Sequence, residues 1–201
     1  MKLIEKNKEW KYHIYQLETI TEDNLNEWMF QCEKAIAKIQ MFLRAEQQGQ
    51  DTTFYYSRYN IWTVTPGNKM FFELYKELLE CIKDFCKTNE VTHDKGLYLQ
   101  SWFNNHRSDN NLERHNHFSP IHGYIAVNPQ HSKTVFYEQM GQDDVAFTIN
   151  NKLGQLYIGP GNLEHEVITT KEYDGPRYSI GFDIDDNEET HHLSMIPLVI
   201  E

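Results

Sequence analysis

Gly154-Gln155-Leu156-Tyr157-Ile158-Gly159-Pro160-Gly161-Asn162-Leu163-Glu164-His165-Glu166-Val167, followed by Arg177-Tyr178-Ser179-Ile180-Gly181-Phe182-Asp183, decides how this chain is read. Both segments carry short β-branched and aromatic runs punctuated by glycine and proline. Similar runs recur upstream at 97–103, 121–127, 134–138 and 145–149, and downstream at 193–200. Turn signals such as Asn128-Pro129, Gly141-Gln142-Asp143, Asn150-Asn151 and Asp174-Gly175-Pro176 separate several of them. About eight short strands with this punctuation predict a sandwich or jelly roll.

The N-terminal part has a different texture. Residues 10–20 alternate well enough for a strand. Thr21 reads as an N-cap, with Glu22 and Asp23 in the first turn. Leu25, Trp28, Met29, Cys32, Ile36, Ile39 and Leu43 fall on one face of a helix over about 22–45. Residues 53–65, rich in aromatic and β-branched types, read as strand or ordered loop. The aromatic cluster Phe54, Tyr55, Tyr56, Tyr59 and Trp62 reads most simply as core and surface packing, with the lining of a substrate groove as the alternative. After the turn at Pro66-Gly67-Asn68, a second helix over about 69–88 presents Phe71, Leu74, Leu78, Ile82 and Phe85. The expected fold class is therefore α+β, mainly β: a double-stranded β-helix, cupin-like, braced by N-terminal helices. One domain is expected over 1–201, with 1–90 as helical support with N-terminal strands and 91–201 as the jelly-roll core.

Composition narrows the function. The chain has 201 residues, 39% of them hydrophobic, enough to bury a core. Its net charge of −11, from 19 basic and 30 acidic residues, disfavours duplex nucleic acid as a partner. No run of about 18 apolar residues offers a membrane span. The charged start Met1-Lys2-Leu3-Ile4-Glu5-Lys6 does not read as a secretory signal. Cys32, Cys81 and Cys86 read as buried reduced thiols in helices, and a cytoplasmic setting follows.

Ten histidines make any single one weak. His13, His93, His106, His131, His191 and His192 are assigned surface or packing roles. His115 and His117 differ. In a strand, residues i and i+2 share a face, so a strand through 115–117 presents two imidazoles side by side. His165 lies 165−115 = 50 residues on, far enough for intervening strands to return to the same place. A metal site at His115, His117 and His165 is expected. Twelve residues further, 177−165, comes Arg177-Tyr178-Ser179. The arginine fork matches a carboxylate bidentately, and the Ser179 hydroxyl faces the same side. Tyr98, Gln100 and Trp102 share one strand face and are expected to line a pocket, with Tyr137 a further candidate.

Trp102-Phe103-Asn104, His115-Asn116-His117, Gly123-Tyr124, the Gly154–Val167 segment and Arg177-Tyr178-Ser179-Ile180 together resemble the 2-oxoglutarate and iron(II)-dependent dioxygenases. Within that superfamily they are similar to dioxygenases common in marine bacteria and their phages. The resemblance covers about 98–184. It implies that His115 and His165 bind Fe(II) and that Arg177 and Ser179 hold the far carboxylate of 2-oxoglutarate. Tyr98 and Asn104 are placed in the same co-substrate pocket. It further implies O2 as a reactant, ascorbate as an accessory reductant, and hydroxylation of a protein side chain or small molecule with release of succinate and CO2.

One position departs from the pattern. The usual motif has Asp or Glu two residues after the first histidine, where this chain has His117. His117 is the favoured third ligand. The alternatives are a carboxylate from elsewhere, Glu113 or Asp109, or an altered, inactive site. His122 is assigned to support or core. Two other functions compete: a cupin-type metal site acting without 2-oxoglutarate, which has no use for Arg177 and Ser179, and a non-catalytic β-sandwich binding module. The apolar end at 193–200 reads as an added strand or a homodimer contact.

Overall fold

The computed structural model describes residues 1–41, 52–53, 59–91, 96–107, 112–186 and 195–199. His93, His191, His192, Phe54, Tyr55, Tyr56 and Asp109 lie outside the described residues.

The chain opens with β1 (Lys2–Asn7) and β2 (Tyr12–Gln16), a hairpin. A 3-10 turn over Glu22–Asn24 leads into α1 (Leu25–Met41). The Thr21 backbone N–H donates to Asn24 Oδ1 at 2.9 Å, closing the expected start of the helix. Next come α2 (Ile61–Val64) and α3 (Lys69–Thr88). The α2 segment corrects the reading of residues 61–64 as strand or loop. The Asn60 side chain accepts the Trp62 N–H at 3.2 Å, and this local cap outweighs the β propensity of Ile-Trp-Thr-Val. Asn68 caps α3 in the same way, accepting from Met70 and Phe71.

Among the described residues nine strands follow: β3 (Leu97–His106), β4 (Leu112–His115), β5 (Ile121–Asn128), β6 (Ser132–Tyr137), β7 (Val145–Asn150), β8 (Gln155–Pro160), β9 (His165–Thr169), β10 (Arg177–Asp185) and β11 (Ile196–Leu198). One sheet runs β1-β2-β8-β5-β10-β3-β11 and the other β4-β9-β6-β7. From β3 to β10 the chain alternates between the two sheets, apart from the β6–β7 hairpin. This is the connectivity of a double-stranded β-helix, as expected. The C-terminal apolar run takes the added-strand form, with β11 paired to β3. Strands β1 and β4 are not apparent in the sequence. Both carry charged residues and form because each finds an antiparallel partner, β2 and β9 respectively.

The larger sheet has two unlike faces. Leu97, Leu99 and Phe103 of β3, Ile125 and Val127 of β5, Leu156 and Ile158 of β8, and Tyr178, Ile180, Phe182 and Ile184 of β10 form one core with the helices. Trp28, Phe71, Leu74, Leu78, Ile82 and Phe85 supply the helical side of it. The alternate residues face the smaller sheet, where Tyr12, Ile14, Tyr124, Phe136, Ile149 and Tyr157 form a second cluster. Cys32, Cys81 and Cys86 are free and buried in the helices, where burial pushes all three thiols up. Among the described residues no helix is long and apolar enough to cross a membrane.

Because Phe182 is fully buried between sheet and helices, Phe182→Ala is expected to cost about 3–5 kcal/mol in urea denaturation. Val145→Ala, at a half-exposed position of β7, should stay within about 0.5 kcal/mol. Similar losses at the two positions would contradict this assignment of the core.

Candidate functional site

The inner face of β10 is set by strand alternation. Arg177, Ser179, Gly181 and Asp183 share it. Antiparallel pairing fixes their neighbours on β3: Arg177 opposite His106, Ser179 opposite Asn104, Gly181 opposite Trp102, and Asp183 opposite Gln100. On the other side, β5 brings Ala126 to Ser179, Tyr124 to Gly181 and His122 to Asp183. In the next strand, Tyr157 lies opposite Tyr124. The sheet therefore presents an ordered polar array to the interior, with Arg177 towards one end and Asp183 towards the other.

His115 ends β4 and pairs directly with His165, the first residue of β9. Their ring centroids are 4.5 Å apart. His117 is not in a strand, contrary to the expectation for 115–117. Beyond His115 the chain leaves β9, and the His117 N–H donates instead to the Gly161 carbonyl at 2.9 Å. A Cβ at Gly161 would lie 2.0 Å from the Ser119 carbonyl oxygen, so only glycine permits this approach. The turn still delivers His117 to the same place, its ring 5.2 Å from His115 and 5.4 Å from His165. His115, His117 and His165 each offer a ligand atom, all within 4.8 Å of one another, a spacing that could hold a metal ion.

Hydrogen bonds fix which ring nitrogens remain available. His115 Nδ1 lies 2.6 Å from the Glu113 carbonyl oxygen, and His165 Nδ1 lies 3.1 Å from that of Leu163. A carbonyl can only accept, so both Nδ1 atoms carry the proton and both Nε2 atoms present a lone pair. His117 Nδ1 lies 3.1 Å from Asp183 Oδ2, and His122 Nδ1 lies 2.9 Å from Asp183 Oδ1. The carboxylate thereby imposes the same tautomer on both rings, which stack with centroids 3.6 Å apart.

Burial governs the electrostatics. Burial and the three neighbouring imidazoles hold His165 well below the usual histidine range. Burial and His117 bring His122 down to about 4. Burial alone would raise Asp183, but hydrogen bonds from His117 and His122 hold it at about 2. Among the described residues, the centre therefore places neutral His115, His122 and His165 beside the ionised carboxylate of Asp183.

Arg177 is only 4% exposed, and its Nε and Nη2 have no hydrogen-bond partner. These two atoms form the side-on edge of the guanidinium, which matches a carboxylate. Tyr173 hydrogen-bonds the side chain elsewhere, and the charge is felt at Tyr124. Asn104 Nδ2 donates to Ser179 Oγ at 3.3 Å, placing both beside the arginine. The Tyr157 hydroxyl, fully buried and also without a partner, lies over Gly159.

Two of the expected pocket residues are placed elsewhere. Tyr98 lies opposite Asp185, 185−177 = 8 residues along the strand from Arg177. That is roughly 26 Å, so Tyr98 and Arg177 are not brought together. Tyr137 lies beneath the Arg114 guanidinium, 3.6 Å from the ring centroid, and donates to Glu166. Phe136, its neighbour on β6, faces His165 instead. Glu113 is exposed and meets the centre only through its carbonyl. Among the described residues, the carboxylate that reaches the centre is Asp183, which no motif in the sequence marks. It shares the period-two face of Arg177 and Ser179, but its contact with His122 depends on register.

No family model and no curated protein matches the sequence. Solved structures do match. HygX from Streptomyces hygroscopicus, with nickel and 2-oxoglutarate bound, superposes with a TM-score of 0.56 at 9% identity over 98% of each chain. The carbocyclase SnoK from nogalamycin biosynthesis, non-heme and alpha-ketoglutarate dependent, gives 0.56 at 10% identity over 97% of this chain and 93% of its own. A Pseudomonas putida prolyl-4-hydroxylase gives 0.56 at 10% identity over 88% of both. The fold is that of the 2-oxoglutarate and Fe(II)-dependent oxygenases.

His106 and His122 are each held at about 4 in the folded protein, against 6.5 for a free histidine. Unfolding at pH 5 therefore takes up protons that the native state refuses. Stability of the metal-free protein is expected to be undiminished by these groups above about pH 6.5 and to fall as pH drops from there towards 4. Urea midpoints in chelator at pH 7, 6 and 5 should decline in that order. A flat series would mean that these rings are not buried neutral.

Proposed function

We propose that the chain is an Fe(II)- and 2-oxoglutarate-dependent oxygenase that hydroxylates a protein side chain or small molecule, releasing succinate and CO2. The observation that carries this reading is the coexistence of a three-imidazole cluster and a buried arginine with its carboxylate-matching edge free. A cupin-type metal site acting without a 2-oxo diacid would gain nothing from burying an unpaired guanidinium, which is costly in a low-dielectric interior.

In this reading His115, His117 and His165 hold the metal through Nε2. A bound metal of this kind supplies the redox chemistry that couples decarboxylation of a 2-oxo acid to substrate oxidation by O2. Arg177 engages the far carboxylate of the co-substrate side-on, and Ser179, steadied by Asn104, offers a hydroxyl to the same group. The Tyr157 hydroxyl offers a further polar contact in the interior. Asp183 replaces a directly ligating carboxylate by acting through His117. Its hydrogen bond orients the ring and raises its donor strength, returning part of the negative charge that His117 lacks as a ligand. Trp102, stacked on His117 and His122, shields that side from water.

Anaerobic titration with Fe(II), then 2-oxoglutarate, tests the assignment. The parent protein should bind the metal and develop the visible charge-transfer band of a chelated 2-oxo acid. Arg177→Ala should keep metal affinity and lose the band at the same co-substrate concentration. Asp183→Asn should weaken metal affinity itself by about ten- to a hundredfold. Metal binding with no band in the parent would favour a metal-binding jelly roll that does not use 2-oxoglutarate. No metal binding would leave a β-sandwich module.

A further inference from the structure

Two side chains near the inner end of β10 cannot be explained by packing. Arg177 buries a guanidinium edge with no acceptor. Directly opposite it, His106 is 4% exposed, and neither Nδ1 nor Nε2 has a hydrogen-bond partner. Leaving a buried polar group unmatched costs on the order of 1–3 kcal/mol. Such a group calls for a ligand or other specific cause. Arg177, His106, Ser179 and Asn104 occupy a two-by-two block of inward positions on adjacent strands. Two of the four are tied to each other, through Asn104 Nδ2 and Ser179 Oγ. The other two are the ones with unmatched nitrogens. Tyr173 links their surroundings, hydrogen-bonding the arginine and donating to the His106 carbonyl at 3.4 Å.

We propose that His106 is a second donor to the anion bound by Arg177, so that the far carboxylate of the dicarboxylate co-substrate is held by the guanidinium edge and an imidazole N–H together. This rests on the oxygenase reading and goes beyond it by assigning His106 to co-substrate selection. The histidine faces the inner side of the sheet, as Arg177 does. A neutral imidazole has one N–H donor, which finds no acceptor here and which a carboxylate oxygen would occupy. Burial, with the arginine beside it, holds the free ring at about 4 and so neutral before the ligand arrives, which avoids two adjacent buried cations. An entering carboxylate matches both residues in one step.

The test compares two 2-oxo acids that share the chelating end and differ at the other. 2-Oxoglutarate has a far carboxylate and 2-oxobutyrate has none. Each is titrated calorimetrically into protein loaded with Mn(II). Loss of a hydrogen bond to a charged group predicts that His106→Leu weakens 2-oxoglutarate binding by roughly ten- to a hundredfold. Binding of 2-oxobutyrate and of Mn(II) should not change. His106→Asn, which keeps an N–H donor, should recover part of the loss. Equal weakening of both acids, or none of either, would overturn the role of His106 while leaving the oxygenase reading intact. If the parent binds Mn(II) but does not prefer 2-oxoglutarate over 2-oxobutyrate, both the assignment of His106 and that of the co-substrate pocket fall. Should His106→Leu not retain Mn(II) affinity, the decision passes to His106→Asn. In that variant a dicarboxylate-selective loss supports the proposal, and unchanged or uniformly changed binding overturns it.

Discussion

Strand alternation in β10 joins the fold to its chemistry. Tyr178, Ile180, Phe182 and Ile184 point to the helices and are buried in the main core. Arg177, Ser179, Gly181 and Asp183 point the other way. A slip of one residue would expose the apolar set to the polar interior and drive a guanidinium and a carboxylate into the helical interface. Hydrophobic burial therefore fixes the register of the polar residues. At about 1.5–3 kcal/mol for each large apolar side chain, four such residues outweigh the cost of a few strained polar contacts inside. The helices pack against the apolar face of the sheet and hold it in the register that aligns the polar one.

The polar interior follows a consistent electrostatic scheme. Four imidazoles crowd together, and burial with mutual repulsion holds His115, His122 and His165 below the usual histidine range. The ionised carboxylate of Asp183 is shared between two of them. The cation, Arg177, is held six residues away on the same strand, where it does not ion-pair with Asp183. Pairing the two would have satisfied both charges and left neither available. Separation along the strand keeps one sign of charge beside the imidazoles and leaves the Nε and Nη2 edge of Arg177 without an acceptor.

Much of this was legible because it is local. The period of two links Arg177 to Ser179, the helix stripes mark α1 and α3, and the His115, His117 and His165 spacing anticipates their convergence. What was missed depends on pairing. Asp183 has the same period as Arg177, but a carboxylate for the centre was sought near His115, at Glu113 or Asp109, because only the β5–β10 register brings it to His122. His106 reads as a surface or packing residue in the sequence, and its position opposite Arg177 is again a cross-strand fact. Tyr137 was misplaced by one residue, because a bulge after Phe136 and the alternation of β6 turn Phe136 inward. In α2 a four-residue run of β-forming types became helical through one asparagine cap, an effect that propensity does not contain.

Space is as specific a requirement here as any donor or acceptor. A Cβ at Gly181 would come within 2.5 Å of the Trp102 ring, and that ring lies over His117 and His122. The glycine lets the indole lie flat across β10 and hold the two histidines against Asp183. At Gly161 the same logic lets the loop carrying His117 close onto the turn before β9. Gly181 flanks the centre from β10, and Gly161 flanks it from the turn between β8 and β9. A side chain at either one would leave every hydrogen-bonding residue in the sequence and still separate them, because the distances that matter are set by backbones and rings in contact. That helps explain how a chain with only 9–10% identity to HygX and SnoK can share their fold: alternation, register and close approach constrain where residues stand more tightly than which residues they are.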